Sequence, residues 1–178
     1  MRMRIVAITA LVLLWCAAAV AQQKGTVVSM APAPVVYVSA SRSTPFELNF
    51  RIARKFHINS NKPNSELLIP TALKLSTPTD IMISSISYPD GEQLAFDFAP
   101  SEKLSVYSGD FSITGKVRPL RSVRAGTYRV HGQLKYQACD DRACFPPATL
   151  PIFFDVKVGK PPVTRTRRNP GQSPSSPR

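Results

Sequence analysis

The sequence predicts an all-β fold, an antiparallel β-sandwich of immunoglobulin-like type built as a single domain. Three observations carry this expectation. Apolar positions in the body recur at period two, the spacing of a half-buried strand. β-branched and aromatic residues are plentiful, and short turn-forming clusters separate the apolar runs. No stretch of the body shows the apolar spacing of an amphipathic helix.

The ends of the 178-residue chain fall outside this pattern. Residues 1–21 read as a secretory signal peptide: Arg2 and Arg4 form the positive start, Ile5 to Val20 is almost wholly apolar, and Ala19-Val20-Ala21 is the small-x-small cleavage pattern. That run falls short of the roughly 20 residues of a membrane-spanning helix. The product is therefore expected to be exported, periplasmic or extracytoplasmic, and soluble after cleavage. Cys16 raises lipidation as a competing reading, opposed by the bulky Trp15 where such signals carry a small residue. Residues 159–178 hold five prolines and one aliphatic residue, Val163, too little apolar surface to offset the entropy of ordering. They are expected to form a disordered basic tail. Residues 22–158 remain, enough for one core.

The formal charge is +12, of which Arg2 and Arg4 supply two and the acid-free tail five, leaving +5 on the body. The tail reads as a solubilising extension, with weak attraction to an anionic surface as the alternative. Nucleic-acid binding is not expected of an exported chain, and no aromatic residues interleave the basic ones of the tail.

In chain order, strands are expected over residues 35–39, 46–53, 67–75, 81–87, 94–98, 111–117, 127–136 and 151–158. Turn signals lie between them at Ser60-Asn61-Lys62-Pro63, Thr77-Pro78-Thr79-Asp80, Pro89-Asp90-Gly91, Ser108-Gly109-Asp110 and Ala125-Gly126. Phe46, Leu48, Phe50 and Ile52 make one apolar face. The alternation is cleanest in 127–136: Tyr128, Val130, Gly132, Leu134 and Tyr136 share a face opposite Arg129, His131, Gln133 and Lys135.

Beyond the signal peptide two cysteines remain, Cys139 and Cys144, just after that strand. The four residues between them allow a turn that brings the pair within disulfide reach, and an oxidising compartment favours the bond. A loop this short restricts the unfolded state weakly, unlike a bridge across a sandwich core. Redox function and a local structural staple both remain open on this chemistry. Arg142 favours a thiolate, while Asp140 and Asp141 oppose it. Two thiolates, with only His57 and His131 elsewhere, make a weak case for a metal, and none is expected.

At this point the residues resemble a known family. Tyr136-Gln137-Ala138-Cys139, then Cys144-Phe145-Pro146-Pro147, is similar to the strand and active-site signature of the N-terminal periplasmic domain of the DsbD protein-disulfide reductase family, also described as a disulfide bond corrector domain. Weaker resemblance runs through His57-Ile58-Asn59, Leu68-Ile69-Pro70-Thr71, Tyr88-Pro89-x-Gly91 and Val106-Tyr107-Ser108-Gly109, so that it spans roughly residues 40 to 158. The spacing of the cysteines is one residue shorter than in the best-known members.

The resemblance implies an immunoglobulin-like sandwich and thiol–disulfide exchange without an organic cofactor. It implies that Cys144 forms the intermolecular mixed disulfide and that Cys139 resolves it. Electrons are expected from a thioredoxin-like protein or domain fed by a membrane thiol reductase, with oxidised periplasmic proteins as clients. Full-length members continue into membrane helices and a thioredoxin domain; this sequence shows neither, so separate partners are expected. The family also shields its disulfide with an aromatic cap loop. Residues 97–103 are the best counterpart, with Phe98 as the cap, and Asp97 and Glu102 are candidates for proton transfer. Tyr136 and Phe145 either flank the disulfide and control access or close the end of the core. His57 reads as a hydrogen-bonded structural histidine or, through the resemblance, a redox-site contact; His131 reads as solvated. A different class stays in view, an immunoglobulin-like interaction module with a structural local disulfide. A third is an accessory to copper-protein or haem maturation.

Overall fold

The computed structural model describes residues 26–33 and 35–159. The expected signal peptide, Cys16 and the tail beyond Gly159 lie outside these residues.

The described chain is built from strands, as the sequence predicts: β1 (Val28–Met30), β2 (Val36–Val38), β3 (Thr44–Ile52), β4 (His57–Asn59), β5 (Ala72–Ser76), β6 (Ile81–Ser87), β7 (Glu92–Phe96), β8 (Ala99–Ser108), β9 (Asp110–Pro119), β10 (Gly126–Tyr136), β11 (Ala138–Cys139) and β12 (Ala148–Val158). They form three four-stranded sheets, ordered β1-β3-β9-β6, β2-β12-β10-β5 and β11-β4-β8-β7. Every pairing is antiparallel except β12 with β2.

The first two sheets face each other across the core. Phe46, Leu48, Phe50 and Ile52 of β3 and Phe111, Ile113 and Val117 of β9 are buried on one side. Val130 and Leu134 of β10 and Ile152, Phe154, Val156 and Val158 of β12 are buried on the other. The Phe46 and Phe154 rings stack across the interface with centroids 5.0 Å apart. Each fully buried side chain of this kind contributes about 1.5–3 kcal/mol of transfer free energy. The alternation that marks β3 and β10 in the sequence is thus the alternation of core and solvent.

The third sheet grows out of the first. β4 follows β3 after a short turn, and β8 runs into β9 through Gly109, whose φ of +62° is a left-handed conformation that glycine adopts without Cβ strain. This extension is what reaches the cysteines. β10 ends at Tyr136, the chain changes sheet, and β11 pairs with β4, placing Ala138 opposite Ile58 and Cys139 opposite His57.

Two local expectations are corrected. Of residues 67–75, only those from Ala72 onward form a strand, and Leu67 is 92% exposed. Pro70 lacks an amide donor, and side chains satisfy the preceding backbone instead: Ile69 N donates to Gln137 Oε1 at 3.1 Å. Thr71 Oγ1 donates to the Asn59 carbonyl at 2.6 Å, fixing the end of that segment. Residues 97–103 are not a loop. Asp97 and Phe98 form a tight turn, and from Ala99 the chain is strand β8, paired with β7 across a register irregularity between Leu94 and Phe96. Pairing across the sheet supplies the bonds that local propensity does not announce.

Candidate redox-active site

The cysteines occupy facing positions in a small hairpin at the tip of the β10–β12 connection. Phe145 N donates to Ala138 O at 2.8 Å and Asp140 N donates to Ala143 O at 3.0 Å, so the Cys139–Cys144 pair lies between two backbone bonds. This is the non-hydrogen-bonded register, in which facing residues approach most closely. Their Cα atoms stand 3.9 Å apart and the sulfurs are joined as a disulfide. The turn itself is held by Asp140, whose Oδ1 accepts from Arg142 N at 2.8 Å and Ala143 N at 2.9 Å. Those backbone donors, Arg142 first, hold the Asp140 carboxyl below its usual range.

The two cysteines differ in exposure. Cys139 is wholly buried, at 0% exposure, whereas Cys144 is half-buried. The amide of Gln137 clamps the hairpin to its neighbours. Its Oε1 accepts from Asn59 Nδ2 at 3.1 Å and from Ile69 N, and its Nε2 donates to Phe145 O at 3.2 Å. One side chain therefore ties the Cys144 arm to β4 and to the segment before β5.

Beside Cys139, on the same face of the third sheet, lies His57. It is buried at 4% exposure, and Phe96 stacks on its imidazole with centroids 4.1 Å apart. Phe98 stacks in turn on Phe96, at 5.4 Å. The tip of the β7–β8 hairpin thus folds over the histidine. Burial pushes the His57 pKa down, while Asp141 and Asp140 pull the other way. Its Nε2 is buried with no hydrogen-bond partner among the described residues.

The structure brings some of the sequence-predicted residues together and leaves others apart. Phe98 belongs to the aromatic stack, but Phe96 is the ring that meets His57. Tyr136 points into the core, 5% exposed. Phe145 is 41% exposed and packs against Phe56 with centroids 5.9 Å apart. Asp97 is exposed in the hairpin turn beside Phe96 and Phe98, and Glu102 is exposed on β8. His131 is exposed on β10. The sequence reading gave no role to Phe96 or Gln137. Gln137 was within reach, since it stands in the motif that carries the resemblance. Phe96 carries no local signal, because its significance depends on a hairpin that bends back over another strand.

Comparison with known proteins adds the following. Among solved structures, the chain is similar to the reduced DsbD N-terminal domain of Neisseria meningitidis at 20% identity and a TM-score of 0.41, covering 66% of this chain and 82% of that one. It is similar to the N-terminal periplasmic domain of ScsB from Proteus mirabilis at 13% identity and a TM-score of 0.48, covering 76% of this chain and 49% of that one. A search of the curated proteins finds no match. The family model described as thiol:disulfide interchange protein DsbD, N-terminal, matches residues 26–155, which hold every strand but the last residues of β12, the cysteine hairpin and the histidine opposite it. The chain belongs to the DsbD N-terminal family of thiol:disulfide interchange proteins.

Proposed function

We propose that the protein carries reducing equivalents by reversible thiol–disulfide exchange at Cys139 and Cys144, working outside the cytoplasm. The observation that carries this reading is the inequality of the two cysteines, one wholly buried and one half-buried, in a hairpin held by its own backbone bonds.

Exchange requires in-line attack of a thiolate on one sulfur of a disulfide. A donor thiolate reaches Cys144 Sγ, forms a mixed disulfide with it and displaces Cys139 as a thiolate, which takes up a proton. A second donor thiolate then releases Cys144, leaving the pair reduced and the donor oxidised. Toward a client the roles reverse. Cys144 attacks the client disulfide, Cys139 attacks Cys144 Sγ, the Cys139–Cys144 bond reforms, and the client gains two electrons and two protons. Membership of the family supports a thioredoxin-like donor fed by a membrane thiol reductase, and oxidised extracytoplasmic proteins as clients. The chemistry uses the two sulfurs and protons alone, so no cofactor takes part.

The test is the reduction potential of the pair, measured by equilibration in thiol buffers and alkylation. A carrier is expected at roughly −180 to −270 mV, and a value well below about −300 mV supports the alternative, an interaction module with a structural disulfide. Cys139→Ala is expected to accumulate mixed disulfides through Cys144, whereas Cys144→Ala, with only the buried sulfur left, is not.

A further inference from the structure

We infer that His57 is the proton-exchanging partner of Cys139, taking the thiol proton as that sulfur attacks and returning it when the bond is opened. This rests on the exchange reading of the Cys139–Cys144 pair.

Three observations converge on it. First, His57 and Cys139 are cross-strand partners of β4 and β11, so their side chains share a face with Cβ atoms about 5 Å apart. Second, both are buried, at 4% and 0% exposure. The thiolate is the nucleophile, and a cysteine so enclosed in the disulfide form is favoured by a protein group at hand to take its proton. Third, His57 Nε2 has no partner among the described residues. Buried polar atoms are nearly always bonded, and an unpaired one is costly. A buried imidazole nitrogen left unpaired on the residue directly opposite Cys139 is explained by a step that fills it.

The surroundings suit the task. Phe96 stacks on the ring at 4.1 Å and holds its orientation. The groups facing His57 are Cys139, Asp140 and Asp141 on the cysteine hairpin, Ser108 as its partner on β8, and Phe96 on β7. Burial keeps the imidazole neutral and able to accept, while the two carboxylates favour the imidazolium once the proton has moved.

The step balances. In the mixed disulfide, Cys139 holds a thiol and Cys144 is bonded to the client sulfur. Nε2 takes the thiol proton, the Cys139 thiolate attacks Cys144 Sγ, the bond from Cys144 to the client breaks, and the client leaves as a thiolate. Proton return from the imidazolium, directly or through solvent, completes it: one thiol and one mixed disulfide become one internal disulfide and one client thiol.

The experiment follows thionitrobenzoate release by stopped flow when the reduced chain reacts with its aromatic disulfide. Attack by Cys144 gives the first release and closure by Cys139 the second. In the wild type the second phase is expected to rise with pH and level off once His57 is neutral. In His57→Gln it is expected to be about a hundredfold slower at pH 7, within the range of a positioned acid–base group. The variant's rate should then climb about tenfold per pH unit into the range of an unassisted thiol, above about 8.5. The first phase should not change. A His57→Gln profile that matches the wild type overturns the inference and leaves the exchange reading standing. A wild type that gives neither release overturns both. Should the variant fail to fold, the wild-type profile decides: a second phase that climbs to pH 9 without levelling off overturns the inference.

Discussion

Reducing the Cys139–Cys144 bond is expected to leave the domain folded. The two cysteines are 5 residues apart in sequence. For a loop of that size the chain-entropy relation gives about 2 kcal/mol of stabilisation at 25 °C, against about 3 for a 15-residue loop and nearly 5 for a 100-residue one. The geometry makes this an upper bound in practice. The bonds from Phe145 N to Ala138 O and from Asp140 N to Ala143 O flank the disulfide, the Asp140 side chain closes the turn, and β11 stays paired with β4. None of these contacts requires the sulfur–sulfur bond. A domain stability of about 5–15 kcal/mol accommodates a loss of that size. For a domain of this length it corresponds to a fall in Tm of about 6–10 °C. The assay is thermal unfolding followed by circular dichroism, with and without a phosphine reductant, with alkylation confirming both redox states. Retained strand signal and a modest fall in Tm support a hairpin that cycles between states. A reduced protein that is unfolded at 25 °C, or that loses more than about 4 kcal/mol, would refute the reasoning and mark the bond as a structural staple.

Two other predictions follow from the site. Phe96→Ala removes the ring stacked on His57 and is expected to speed reduction of the disulfide by a small thiol; Phe98→Ala, one layer farther out, should do so less. Equal rates in both variants and the wild type, by stopped-flow reduction, would show that the stack does not govern access. The Asp140 carboxyl is depressed by its turn bonds, so its contribution is fully present above the ordinary carboxyl range, near 3.8, and is lost as pH falls through the lower folded-state value. The drop in Tm between pH 6 and pH 2.5 should therefore be smaller in Asp140→Asn, which keeps the acceptor oxygen and does not titrate. Equal drops would show that the turn is not held by the charge.

Much of the fold was legible because the interactions that make it are written locally. The alternation of Tyr128, Val130, Leu134 and Tyr136 against Arg129, His131 and Lys135 needs only a sheet with one wet face, and β10 runs over Gly126–Tyr136. β6 appears at the residues expected, Ile81–Ser87. The cysteine pair was equally plain, since its spacing alone allows closure. The failures share one cause. The expected strand over 67–75 has apolar residues in strand-like density, but Pro70 and the side-chain bonds from Gln137 and Thr71 direct it elsewhere until Ala72. The residues after Phe98 have turn-like composition, yet β7 supplies their pairing.

By itself, the sequence determined that this chain packs strands around an alternating apolar core, that Cys139 and Cys144 lie within bonding reach, and which family it resembles. Tertiary structure decided which cysteine is buried, that His57 stands opposite it across the strand pair with an unpaired buried nitrogen, and that Phe96, not Phe98, meets the histidine. The physical reason is range. Periodicity and turn chemistry act between residues a few positions apart, whereas burial, cross-strand pairing and ring stacking are set by segments that meet only when the sheets assemble.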